Sequence, residues 1–131
     1  MRKDIEIPEV KDVYVAAVYE LNETYNTQDW NIYIINDGET PIETVLIVTQ
    51  GYDEKDMTAP MRKSIAIIPA KGFALIEYID ESVFKLDNFF TITFFRGQNM
   101  YDKRFELPRF SIVEENLVAL PVMNPKGVLA R

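Results

Sequence analysis

The sequence predicts an all-β fold: an antiparallel β-sandwich of about seven strands with a short C-terminal helix and tail. Three observations carry that expectation. Short runs rich in Val, Ile, Phe, Tyr, Trp and Thr recur along most of the chain, as suits a pleated, half-buried surface. Turn-forming residues separate those runs, at Asn36-Asp37-Gly38, Pro69-Ala70-Lys71-Gly72 and Gly97-Gln98-Asn99. The β pattern breaks only near residue 111. Strands of this length at this spacing are the signature of a sandwich.

The first strand is expected over 13–21, after an acidic, proline-marked leader. Residues 30–50 read strand, turn, strand. Trp30, Ile32 and Ile34 alternate with Asn31, Tyr33 and Ile35, and Gly38 suits a tight hairpin turn that needs positive φ. Pro41 restarts the chain into a β-branched third strand over 42–49. A polar loop over 51–60 leads to strand four at 61–68, and a turn to strand five at 73–79. Residues 80–87 form a connection with room for one helical turn. Strand six, 88–96, is dense in Phe and Thr. Strand seven, 100–107, alternates Tyr101, Lys103 and Phe105 with Asp102, Arg104 and Glu106, so one row is charged, as a solvated or edge strand requires.

Beyond 110 the reading changes. Ser111-Ile112-Val113-Glu114 fits a capping box. Val113, Leu117 and Leu120 fall on one helical face, and Pro121 ends the helix. The division is thus a sandwich over 1–110 and a helix and tail over 111–131.

The chain has 131 residues, enough to bury a core without staples. It contains no Cys and no His. That excludes disulfides, thiolate metal sites, Cys nucleophiles and any Ser–His–Asp triad. No metal and no cofactor is expected. The formal net charge is −7, which argues against a nucleic-acid partner, because phosphate binding draws on Lys and Arg. The N-terminus lacks the apolar run of a secretory signal, and no apolar stretch is long enough to span a bilayer. The expected setting is cytoplasmic, with no membrane contact.

Trp30, Ile32, Ile34, Phe90, Ile92 and Phe94 are expected to share one core. The opposite rows are also apolar: Tyr33 and Ile35 on strand two, Phe89 and Phe95 on strand six. An exposed surface of that kind needs a cover. The C-terminal segment is one cover; a second copy or another protein is the alternative; a bulge that reverses the faces is the third. Tyr33, Ile35, Phe89 and Phe95 are therefore candidate protein contacts, joined by the loop residues Tyr25 and Tyr52. Tyr25, Trp30, Tyr33, Tyr52 and Tyr101 could alternatively build a stacking platform for sugars or bases, although Trp30 reads better as a core plug. Asp53, Glu54 and Asp56 share a loop but lack a calcium-binding spacing. Asp80 and Glu81 are adjacent carboxylates on a turn, where side chains diverge. Asn22-Glu23-Thr24 matches a glycosylation acceptor, which has no meaning without a secretory route. No catalytic residue emerges.

Two resemblances follow from particular residues. Asn36-Asp37-Gly38-Glu39-Thr40-Pro41-Ile42 with Val45 and Ile47 resembles the passage from strand B to strand C of immunoglobulin-like modules. Ile68-Pro69-Ala70-Lys71-Gly72 with Ala74-Leu75-Ile76 resembles their D–E turn. This implies an architecture rather than an activity. Lys3-Asp4-Ile5-Glu6-Ile7-Pro8, Asp29-Trp30-Asn31, Val45-Leu46-Ile47-Val48 and Gly127-Val128-Leu129-Ala130-Arg131 resemble a family of short bacterial proteins sometimes labelled phenylalanyl-tRNA synthetase-related. At this length that resemblance implies an accessory domain linked to tRNA or translation. The residues themselves point to a non-catalytic interaction or structural module with a protein partner or a homodimer; an enzyme of unknown reaction, with carboxylates and tyrosines as its only chemistry, is the last alternative.

Overall fold

A computed structural model describes residues 9–131. The leader and the Lys3-to-Pro8 run lie outside the described residues. The strands are β1 (Val13–Asn22), β2 (Thr27–Asn36), β3 (Ile42–Tyr52), β4 (Met61–Ile68), β5 (Gly72–Tyr78), β6 (Asp87–Arg96), β7 (Asn99–Leu107) and β8 (Gly127–Leu129). They form two four-stranded antiparallel sheets: β5-β2-β1-β8, here sheet one, and β4-β3-β6-β7, here sheet two.

The sandwich expectation holds, with three corrections. The strands number eight among the described residues, because the tail contributes β8. The chain between β2 and β3 is not a hairpin turn: β2 lies in sheet one and β3 in sheet two, so residues 37–41 arch across the core. The Asn36 side-chain amide fixes that arch by donating to the carbonyls of Thr40 (2.9 Å), Ile68 (3.2 Å) and Pro69 (3.1 Å), while its oxygen accepts from Gly38 N at 3.0 Å. Gly38 is not among the residues with positive φ. Its absent side chain makes room for the Arg96 guanidinium, which would stand 2.5 Å from an added Cβ. The actual β1–β2 hairpin turns at 23–26, where Asn26 takes φ 53°.

The third correction is the C-terminal helix. Residues 111–126 hold a single 3-10 turn, Glu114–Asn116, with no side-chain cap. The Ser111 hydroxyl donates backward to the Pro108 carbonyl (2.5 Å) instead of capping forward. Leu117 and Leu120 then diverge, one packing on the central core and the other on the far side of sheet one. A helix would have kept them together; tertiary burial overrode that local preference, and Pro121 and Pro125 cannot sit inside a helix.

The core lies between the sheets. Ile32, Ile34, Phe90, Ile92 and Phe94 are buried in one cluster with Trp30 packed against it, as the alternation required. A bulge adjusts β3: Glu43 faces Phe95 and Leu46 faces Thr93, so two β3 residues stand against one of β6, and Thr44 takes φ 50°. This lets Ile42 and Val45 both point inward. The lateral seams are stitched. Arg131 and Glu106 exchange two backbone hydrogen bonds on one side, and Lys63 Nζ donates to the Leu75 carbonyl (3.0 Å) on the other, which blunts otherwise open strand edges.

Candidate functional site

The two outer sheet faces are the surfaces that matter. On sheet one, small residues in β1 admit the C-terminal segment. Gly127 runs so close to β1 that an added Cβ would stand 2.7 Å from the Ala17 carbonyl oxygen. Val118 and Gly127 pair through two backbone bonds, and the loop between them lays Leu120 and Met123 on Ala16, Val18 and Ile35. Ile35 is fully buried there, by residues of its own chain. Tyr33 sits at the rim, its ring 5.8 Å from that of Phe73. Burial, with the Glu20 carboxylate beside it, holds its phenol far above the ordinary range.

On sheet two no segment among the described residues lies over the outer face. Strand pairing arranges that face in rows. From β4 to β7 they read Ile67, Glu43, Phe95, Met100; then Ser64, Leu46, Thr93, Asp102; then Arg62, Val48, Thr91, Arg104; and last Gln50, Phe89, Glu106. Leu46 is 49% exposed, Ile67 51% and Met100 57%. Val48, Phe89 and Phe95 are half-buried by their neighbours. The Arg104 guanidinium lies 3.8 Å from the Phe89 ring centroid, shielding it by a cation–π contact. The Thr93 hydroxyl donates to Asp102 at 2.9 Å.

The proposed contact residues therefore separate. Phe89, Phe95 and Tyr52 belong to sheet two, with the Tyr52 ring 5.5 Å from Phe89 and its hydroxyl donating to Gln50 (2.7 Å). Tyr33 and Ile35 belong to sheet one. Tyr25 stands alone and exposed in the β1–β2 turn. The stacking platform is not assembled: Trp30 packs into the core beside Tyr19 and Phe84, and Tyr101 stacks on Phe94. Sequence reasoning placed Leu46 and Val48 on one apolar row of strand three without naming them as contacts, and missed Ile67 and Met100. The signal was the alternation of β3 and β7, which places Leu46 with Val48 and Met100 with the charged row.

The carboxylates are engaged locally. Asp53 accepts from the backbone of Lys55 and Asp56, which lowers its pKa. Asp80 accepts from Ser82, side chain and backbone, with the same effect. Asp87 accepts from Arg109 N at 2.9 Å and pairs with its guanidinium at 3.0 Å, and is lowered too. Glu77 differs: it lines a cavity of about 110 Å³ with Thr49, Met61 and Asn88, and burial raises its carboxyl. Among the described residues no three acidic side chains cluster to hold a metal, and no helix is long and apolar enough to cross a membrane. No family model, curated protein or solved structure matches the chain.

Proposed function

We propose that this chain is a non-catalytic interaction module on an immunoglobulin-like sandwich, and that it meets a protein partner, whether another protein or a second copy of itself, through the outer face of sheet two. One observation carries this reading: the C-terminal segment covers one apolar outer face, and no segment among the described residues covers the other. A contiguous apolar surface is retained at a price in solubility, and such patches mark interfaces. Aromatic and aliphatic residues framed by Arg and Thr are the composition of interface centres and rims. The immunoglobulin-like reading draws support from the order β5-β2-β1 against β4-β3-β6-β7, in which the fourth strand joins the third rather than the fifth. The non-catalytic reading draws support from Asp53, Asp80 and Asp87, which serve as caps and an ion pair rather than converging in a cleft.

The test is affinity capture from the source cells with the wild-type chain and with Leu46→Glu, read by mass spectrometry. The reading expects a protein, the untagged chain itself included, that the wild type retains and Leu46→Glu loses while keeping its fold. Identical capture by both would remove the assignment.

A further inference from the structure

The occupant of this open face can be argued from its pattern of charge. Two copies that stack face to face by a closed symmetry must be related by a two-fold axis lying in the plane between the sheets. Two simple directions exist. An axis along the strands would bring β7 over β4, at equal rows. Arg104 would then meet Arg62, a like-charge contact repeated at both lateral edges of the interface. An axis across the strands brings each strand over itself with the rows reversed. Arg104 then meets Asp102, and Asp102 meets Arg104. Val48 meets Leu46, Thr91 meets Thr93, Phe89 meets Phe95, Arg62 meets Ser64 and Gln50 meets Glu43. Met100 meets Glu106, an unlike pair in the end rows, whereas the two central rows are complementary throughout.

Resting on the interaction-module reading, we infer that the occupant is a second copy of this chain, packed sheet two on sheet two about a two-fold axis across the strands. Among the described residues neither Arg62 nor Arg104 is ion-paired, and Arg104 rests on the Phe89 ring. Asp102 is oriented within the face by the Thr93 hydroxyl, and a carboxylate can accept a further bond from an approaching guanidinium. Four strands about 4.8 Å apart and rows reaching over about six residues give a footprint of roughly 20 by 20 Å. Two such faces together cover roughly 800 Å² in projection, the size of a weak, reversible interface. Packed sheets keep their strands within about 30° of each other, so the central rows carrying Leu46, Val48, Arg104 and Asp102 hold register while the end rows drift apart.

The test is the oligomeric state of the full chain, by sedimentation and light scattering over a concentration series. A dimer is expected. Arg104→Asp, which sets Asp against Asp102, should weaken it by about tenfold or more, and Asp102→Arg should do the same. The double variant Arg104→Asp/Asp102→Arg restores the pairing with the signs exchanged and should recover the dimer. Thermal melting confirms that each variant is folded. A folded wild type that stays monomeric throughout, or a folded double variant no stronger than the singles, overturns the inference. If the chain is monomeric and Leu46→Glu still removes a captured protein, only self-association fails; if Leu46→Glu changes nothing either, the interaction-module reading fails with it.

Discussion

On sheet one, Ala16, Val18 and Ile35 lie beneath Leu120 and Met123. On sheet two, Leu46, Val48, Phe89 and Phe95 lie beneath nothing else among the described residues. The strands below are alike in composition, yet one outer face has become a second small core and the other has remained a surface. The difference lies in what the two faces admit. Gly127 allows a close backbone approach to Ala17, and apolar residues in the tail fill the space over Ala16 and Val18. Sheet two interleaves its apolar residues with Thr91, Thr93, Arg62 and Arg104, and Arg104 bends over Phe89. That mixture tolerates water while it waits for a partner, as long charged side chains do when their stems cover apolar surface.

Deleting residues 111–131 should break the comparison outright. It removes β8, bares Ile35 and Val18, and takes away the seam to β7. The expected outcome is a large loss of melting temperature with dye binding and aggregation. Unchanged melting and solubility would mean that the segment covers nothing. Ile92→Ala, in the core shared by both sheets, should cost about 2–5 kcal/mol in chemical denaturation; a loss below about 1 kcal/mol would mean that the strand faces are misassigned.

A paired truncation sharpens the contrast. Leu120→Ala, on the sealed face, should cost about 2 kcal/mol or more, whereas Leu46→Ala, half-exposed on the open face, should cost well under about 1 kcal/mol in the separated chain. Equal losses would erase the distinction between the two faces. The smallest effect is at Glu77, inside the mouth between the sheets. Burial raises its carboxyl, so the folded state keeps the proton to higher pH than the unfolded chain does. The destabilisation is absent below the ordinary carboxylate range and grows as pH rises through the folded value. Glu77→Gln should therefore gain up to about 1 kcal/mol at neutral pH, with the gain fading in acid. A gain that persists in acid would assign the effect to packing.

Alternation alone was sufficient for the sandwich class, for the shared core of Ile32, Ile34, Phe90, Ile92 and Phe94, and for the outward charged row of β7. Those follow from the period of a strand, which each segment carries within itself. The absence of Cys and His likewise bounded the chemistry before any fold was known. Other features were beyond local reading. Asn36-Asp37-Gly38 has the residues of a hairpin turn, yet it forms an arch, because the Asn36 amide finds carbonyls near Ile68 that are distant in sequence. Ser111 to Glu114 spells a helix start, yet the segment extends, because Leu117 and Leu120 reach two different apolar surfaces only when it does. Which outer face is sealed and which stays open depends on the route of the tail across β1, and only the tertiary structure decided it: the backbone approach at Gly127 and the burial of Ile35 arise from contacts between residues about a hundred positions apart, where no periodicity in the sequence records the pairing.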